Sequence, residues 1–519
     1  MTDESNEGSE SPLQSILHGA KWVFGGRIVK MAVVFLAQII VARFLGTSFY
    51  GGLAQANAVA GVAGLVGALG VGTGLSRQLA YYEDDPEQAR GVIRAGFAIG
   101  LVGTVAVGVG LYFAAPYLAT EIFEDETLII LFRIASIGVP LGVIGNLGVS
   151  MAKASRDAST HTYIKQFLRP LTNSAFRIGA AVLGFGAVGV ITGNVIAKAI
   201  TSVVALVLAI RVLPFSLKGT TKPMYRNLFT FSLPLLFASG FNFLIGDIDT
   251  FLLGAFDTSA AVGIYTAVFN LRPMVLVFFF PATYLLGPVL TRLQKEERPD
   301  DARRTYTAIS KWTTIVSFPI FLLPFLFPSV VIGVSYGSEY VDPAAELVLR
   351  IFAISMLINI ALGANDRAII ALGHNRATMW IAAFAATTNF VLNFLLIPQF
   401  GLLGAGVASV VAFASRDMIN TVLLYRWHGL FPVSRGIIRV LLGMAVLVPI
   451  GYLGFVSVAP VIFPTVIAVG LTFLVLYIPI SVRLGLEGQI DYNLFNEIEN
   501  SQGFDLTPVR RGIQWLNSL

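Results

Sequence analysis

The 519-residue sequence contains no cysteine. Disulfides, thiolate metal sites, iron–sulfur clusters and cysteine nucleophiles are excluded with it. Histidine is scarce too. The four present, His18, His161, His374 and His428, lie far apart in the chain and have no metal-ligand spacing. Charge is the third shortage: Asp, Glu, Lys and Arg make up 13% of the chain, where a soluble domain has about 25%. Hydrophobic residues reach 55% and mean hydropathy is +0.77. So apolar a chain cannot be covered by a water-facing surface. A soluble enzyme, a disordered regulator and a nucleic-acid-binding module are thereby excluded, despite the net charge of +5.

The apolar residues are gathered in long runs. Fourteen segments meet the length of a membrane span, about 20 residues: 20–44, 50–74, 95–117, 128–150, 161–183, 187–210, 227–253, 260–286, 312–334, 347–371, 376–398, 402–425, 437–457 and 461–482. The runs are continuous rather than alternating, which predicts helices and not a barrel. Loop charges give the orientation. With an inside N-terminus, the outer loops hold no Lys or Arg, only acids such as Glu121, Glu124, Asp125, Glu126, Asp257, Glu339, Asp342 and Glu346. The inner connections hold Arg77, Arg90, Arg94, Lys153, Arg211, Lys218, Lys222, Arg292, Lys295, Arg303, Lys311 and others. The bias predicts a multi-pass protein of the cell (plasma) membrane with both termini cytoplasmic. The longest inner connection, 292–311, reads as a solvated connector or as a basic surface helix against anionic headgroups.

The chain also resembles itself. Phe185-Gly-Ala-Val-Gly matches Phe400-Gly-Leu-Leu-Gly at an offset of 215, Arg133-Ile matches Arg350-Ile at 217, the stretch from Ala152 matches that from Ala371 at 219, and Leu45-Gly matches Leu253-Gly at 208. Order and near-constant offset together indicate two six-helix units. An even helix number makes them parallel repeats, with the natural site between them at mid-depth. The expected organisation is a cytoplasmic acidic tail 1–18, an N-lobe 19–210, a cytoplasmic linker 211–226, a C-lobe 227–430, two further spans within 431–484 and a cytoplasmic tail 485–519. The expected fold class is an all-α polytopic membrane protein with about fourteen transmembrane helices in two V-shaped lobes.

Ionisable residues inside spans are functional candidates, because burying them is costly. The first unit carries Arg27, Lys30, Lys165, Arg169, Arg177 and Lys198 in its spans and no acid to pair with them. Lys165, Arg169, Asn173 and Arg177 recur every four residues, one stripe of a helix. The stripe covers about 18 Å at 1.5 Å per residue. It reads as a cationic cavity wall for phosphate, pyrophosphate or acidic sugars. The competing reading has Lys165 and Arg169 snorkelling to the interface with only Arg177 buried. The second unit carries Asp247 and Asp249 in the seventh span and Arg272 in the eighth. The two acids stand about 200° apart around a helix. Asp249, with Asp247 and Arg272, is read as a coupling-ion or gating site, Asp249 being favoured by its motif, or else Asp249 is one half of an ion pair with Arg272. Arg416–Asp417 and Asp366–Arg367 are expected to pair between helices rather than with their neighbours. Asn389 and Asn393, four apart, are read as making interhelical hydrogen bonds, the alternative being hydrogen bonds to sugar hydroxyls.

Three segments carry a family resemblance. ARFLGTSFYG at 42–51, DTFLLGAFDTSAAVGIYTA at 249–267 and NFLLIPQFGLLGAGVASVVA at 393–412 resemble the signatures of the oligosaccharide (polysaccharide-export, Wzx-like) flippases of the MATE/MOP transporter superfamily. The resemblance covers most of 15–482. It implies two lobes that open alternately to each side and translocate lipid-linked phosphate or pyrophosphate sugars to the outer leaflet, for cell-surface polysaccharide or glycoprotein synthesis. It implies membrane lipids, a lipid-linked sugar, an H⁺ or Na⁺ coupling ion and glycan-pathway enzymes as partners. No cofactor, catalytic residue, metal site or nucleic-acid partner is expected. The alternative is a MATE-like cation-coupled multidrug antiporter, against which the acid-free first unit argues. A membrane glycosyltransferase would need a metal and nucleotide-sugar domain, and ATP-driven transport a Walker loop; neither pattern occurs.

Overall fold

The structure, a computed structural model, describes residues 12–485 except 156 and 459; side chains are described from residue 29 onward, apart from 158, 237–239, 241–245, 280–282, 284, 285, 458 and 482. The acidic tail up to residue 11 and the tail from 486 lie outside the described residues. The described chain is helical throughout, with no strand. In order the helices are α1 (Pro12–Ala68), α2 (Val71–Tyr81), α3 (Pro86–Tyr117), α4 (Leu128–Ala154), α5 (Ala158–Thr162), α6 (Arg169–Val182), α7 (Gly186–Arg211), α8 (Tyr225–Phe256) and α9 (Ser259–Val275). They continue as α10 (Phe279–Lys295), α11 (Pro299–Leu326), α12 (Pro328–Tyr336), α13 (Pro343–Ala361), α14 (Asn365–Ala371), α15 (Asn375–His428), α16 (Arg435–Val458) and α17 (Phe463–Gly485).

Among the described residues nine helices are long and apolar enough to cross a membrane. Two of them are too long for one crossing. The 40 residues of Val29–Ala68 and the 54 of α15 would reach about 60 and 80 Å at 1.5 Å per residue, two or more times the hydrocarbon thickness of about 30 Å. Each is broken once, at Gly46 (φ 76°) and at Gly401 (φ 52°). Only a residue without a Cβ takes that backbone cheaply. Each break reverses the chain with almost no loop, so one continuous helix becomes two passes. Gly401 is the repeat counterpart of Gly186, which has φ 62°: the matched Phe-Gly pairs share a local conformation as well as letters.

The 292–311 connection is neither a loop nor a separate surface helix. Helix α10 runs to Lys295 and α11 begins at Pro299, leaving a short turn. Arg298 closes it, reaching Asp301 at 2.8 Å and Glu296 at 3.2 Å. Lys311 lies more than two turns inside α11 and is buried.

Within the first half, α4 packs on α3 and α7, and α6 on α7; within the second, α15 packs on α8 and α13, and α11 on α13. The halves meet through α1 on α9 and α2 on α8. The largest apolar cluster crosses that boundary, joining Leu53, Val59 and Phe132 to Leu253, Val262 and Phe352. The 211–226 connector is strapped to α3. Arg90 donates to the carbonyls of Thr220 (2.8 Å) and Ser216 (3.2 Å), Arg94 to the Thr221 hydroxyl (3.1 Å), and Lys222 meets Asp85 at 3.4 Å. The first turn of α8 continues this attachment, since Met224 and Leu228 are buried with Val71, Leu75 and Val92. Outward faces stay apolar. Phe113, Trp380, Leu453 and Val475 are at least two-thirds exposed, as side chains touching lipid tails should be.

Candidate functional site

Three polar centres interrupt this apolar bundle. The first is the cationic group of the first half. A π-helical turn, Tyr163–Leu168, precedes α6. Pro170 in the first turn of α6 has no N–H to give to the preceding turn, and the wider turn absorbs that loss. The extra residue displaces Lys165 from the expected stripe, and it is exposed. Arg169 instead donates to Asn146 Oδ1 on α4 at 2.8 Å. Asn173 donates to Asn194 Oδ1 at 2.7 Å, and Asn194 to Asn57 Oδ1 at 3.0 Å, a chain of amides tying α6, α7 and α1. Arg177 has a buried Nε with no acceptor.

Glycines on α4 make room for these cations. A Cβ at Gly145 would lie 2.8 Å from Arg169 Nη2, and one at Gly138 would lie 3.5 Å from Lys198 Nζ. Seven residues, two turns, separate the glycines, so they share a face. Among the described residues Arg169, Arg177 and Lys198 form no ion pair. Lys30 is partly buried on α1; Arg27 is on the same helix, with its side chain outside those described. Arg133, which the span-by-span reading passed over, has a buried Nε without a partner and stands 5.3 Å over the Tyr112 ring. Its place in the Arg133/Arg350 repeat match was the available signal.

The second centre surrounds Asp249, fully buried on α8. One carboxylate oxygen accepts from Tyr265 OH at 2.5 Å and from the Ser409 hydroxyl; the other accepts from Asn393 Nδ2 at 2.6 Å. Asn389, one turn away, is fully buried with both amide atoms unpartnered, as is Asn393 Oδ1. Asp249, Tyr265, Asn393 and Ser409 all come from the two long motifs, 249–267 and 393–412. Asp247 is on another side of the helix and only partly buried.

Arg272 is not the ion-pair partner of Asp249. Its guanidinium sits among three phenyl rings, 4.4 Å from Phe269, 4.4 Å from Phe413 and 5.2 Å from Phe352. Neutral donors satisfy the carboxylate, and π faces hold the cation. Nearby, Arg416 does reach its own neighbour Asp417, at 3.2 Å, as well as Asp366 on α14 at 3.8 Å. Its long side chain folds back, so adjacency in sequence did not forbid the contact. Asn359 (2.6 Å) and Asn420 complete this network.

The third centre is a seam between the halves at their acid-rich end. Gly51 on α1 and Gly263 on α9 touch backbone to backbone: a Cβ on Gly51 would lie 2.7 Å from Gly263 N and closer still to Ser259 O. Around them Ser259 Oγ lies 2.6 Å from Asp125 Oδ2 and 3.1 Å from Gln55 Oε1. Tyr340 OH donates to Ala42 O at 3.0 Å, and Arg43 donates to Ser335 O at 2.8 Å and to Val334 O. No group of three or more His, Asp or Glu among the described residues could hold a metal ion. Two of the sequence-distant histidines do meet, however, with His374 and His428 Nε2 atoms 3.0 Å apart.

Apolar helices of spanning length, reversals without loops and buried charge within each packed half define a polytopic, all-helical membrane protein. The chain belongs to the family described as "Polysaccharide biosynthesis protein", which matches residues 40–345, more than half of it. It is 24% identical over 221 residues to the "Probable low-salt glycan biosynthesis flippase Agl15" of Haloferax volcanii, covering 43% of this chain and 46% of that one. It is likewise 24% identical over 323 residues to the "Lipid III flippase" of Escherichia coli, covering 60% and 75%. Its matches to the archaeal relatives span less than half of their lengths. Among solved structures the fold matches the "Lipid II flippase MurJ, inward closed conformation" with a TM-score of 0.72 at 13% identity, over 89% of this chain and 99% of that one.

Proposed function

We propose that the protein is a flippase moving lipid-linked sugars, carried on a polyprenyl or dolichyl phosphate or pyrophosphate, from the cytoplasmic to the outer leaflet by alternating access. The observation that carries the reading is a set of membrane-embedded cations without carboxylate partners: Arg177 with its unsatisfied Nε, Arg169 held by a neutral amide and Lys198 resting on Gly138. In hydrocarbon such charges need an anion, and a guanidinium fork fits phosphate oxygens. Family membership and the relatives' names support the same substrate class. Arg27, Lys30, Lys165 and Asn173 complete the head-group path in this reading. The lobes are 19–210 and 227–430, joined by 211–226 and followed by the two helices of 431–484. The protein sits in the cell membrane with both termini cytoplasmic, works as a transporter rather than an enzyme, and acts beside the glycan-pathway enzymes that make its cargo.

The Asp249 box supplies the coupling site. Its free amide oxygens and hydroxyls are hard donors suited to Na⁺, or to a proton on the carboxylate. Asp247 and Arg272 flank it as gating residues. Multidrug antiport is the weaker reading, because a cationic drug would meet the cationic first half.

The test is head-group flipping in vesicles with Arg177→Ala and Arg169→Ala. Each is expected to slow translocation of a phosphate-linked lipid at least tenfold while leaving folding intact. Flipping at the wild-type rate by both variants would sink the cationic-path reading.

A further inference from the structure

We propose that a basic pocket between the N-terminus of α11 and the C-terminus of α15 binds the phosphate of an anionic membrane lipid. The pocket has a volume of about 680 Å³ and is walled by Arg303, Tyr425, Arg426, Trp427 and His428. It lies away from all three polar centres, and the inference is independent of what the protein transports.

The walls are built, not incidental. Helix α15 ends on Gly429 in the left-handed region (φ 64°), whose N–H caps the carbonyls of Leu424 and Tyr425. The missing Cβ of Gly429 leaves space in which the Arg303 guanidinium lies, with its Nε donating to His428 O at 3.3 Å. Behind the wall the turn between α14 and α15 presents His374. Its ring stacks on Trp427 at 4.3 Å between centroids, and its Nε2 lies 3.0 Å from that of His428. One ring must donate and the other accept, so the pair fixes both side chains relative to each other.

The charge is positive and available. Arg426 is exposed and makes no hydrogen bond among the described residues. Among the described carboxylates Arg303 meets Asp300 alone, at 3.5 Å, with side chains 51% and 79% exposed, a geometry of little strength. The neighbouring acids Glu296 and Asp301 are already engaged by Arg298. Two guanidinium forks facing one cavity match phosphate oxygens. The rim points to a lipid as the bearer of that phosphate. Tyr425, Trp427 and Phe431 are 61%, 41% and 47% exposed, aromatic groups of the kind that sit at headgroup level with an apolar body beside a polar edge.

The test uses the full-length purified chain in neutral detergent and follows its thermal unfolding during titration with three probes: phosphatidylglycerol, phosphatidylcholine and inorganic phosphate. Phosphatidylglycerol is expected to raise the midpoint, and the concentration for half-effect is expected to rise at least tenfold in Arg426→Glu and in Arg303→Ala. Arg211→Glu, the same charge change on an exposed arginine of the other half, should respond like wild type. Arg426→Glu carries the test if Arg303→Ala folds poorly, because the Arg426 side chain supports no contact. An unchanged response in Arg426→Glu, or an equal response to phosphatidylcholine, overturns the proposal. A response to inorganic phosphate at the same concentrations overturns the lipid assignment and leaves a soluble phosphate compound as the ligand.

Discussion

Gly51→Ala is expected to loosen the seam between the halves without weakening the helix that carries it. A methyl on Gly51 would stand 2.7 Å from Gly263 N, whereas ordinary contact begins near 3.4 Å. The helices must therefore part by well over ~0.7 Å, because the Ser259 carbonyl oxygen lies closer still, at a backbone-to-backbone contact where no side chain can swing aside. Overpacking of this kind costs about 1–3 kcal/mol. The cost falls only on arrangements with the seam closed. Alanine itself favours a helix by about 1 kcal/mol over glycine, so the fold as a whole is not weakened. A differential of 1–3 kcal/mol changes the closed-to-open ratio about 5- to 150-fold. The natural lack of cysteine makes the readout clean: Ser259→Cys places one thiol at a position 9% exposed within the seam. Its labelling rate with a maleimide in detergent should rise by at least fivefold when Gly51→Ala is added. A rate within twofold of the Ser259→Cys parent, with unchanged helical content, would refute the idea that this contact holds the acid-rich end shut.

Asp249→Asn is expected to abolish any Na⁺-dependent rise in thermal stability, because the remaining amides and hydroxyls offer no charge; a rise of unchanged size, measured by unfolding in NaCl against choline chloride, would remove Asp249 from the coupling site. At the other end of the fold Asp85 caps α3, accepting from the Glu87 and Gln88 N–H groups at 3.1 Å. The Gln88 backbone and side-chain bonds, with Lys222 beside it, hold its carboxyl below the usual carboxylate range. A lowered folded value means that the cap contributes fully above about pH 4 and is lost as pH falls through that lower value. Wild type should therefore exceed Asp85→Ala in melting temperature at pH 6, with the gap closing towards pH 2.5; a gap that stays constant contradicts the linkage.

Much of the architecture was legible because membrane burial writes itself in long apolar runs. The anticipated segments fall mostly on helix, with turns at 69–70, 276–278, 327 and 362–364 interrupting four of them, and two pairs fuse across Gly46 and Gly401, where a single glycine did the work of a loop. The cations were legible one by one but their company was not. The four-residue stripe of 165–177 assumed an unbroken α-helix, and Pro170 with its π turn removed Lys165 from it. Nothing in the sequence sets Gly138 and Gly145 apart from other glycines of the spans, yet their absent side chains are what admit Lys198 and Arg169. Three-dimensional convergence was the hardest to foresee. Tyr265, Asn393 and Ser409 come from separate stretches of chain and acquire meaning only where they close on Asp249. Of the two readings of Asp249, the pair with Arg272 does not form, and nothing in the sequence brings Phe269, Phe352 and Phe413 to one guanidinium.

The strap that fastens residues 216–222 to α3 bears on where the molecule can bend. Tied by Arg90, Arg94 and Lys222, the connector has no slack to act as a hinge. Met224 and Leu228 are buried in a cluster of the first half, and Ile248 and Leu252 in the cluster that joins both halves. Under the proposed alternating access, a rotation of one half against the other would fall within α8 rather than in the connector, at Pro234, whose missing N–H interrupts the helix just after the buried first turn. In that proposal the place where the repeat units are joined is not the place that bends, and the bend lies inside a helix.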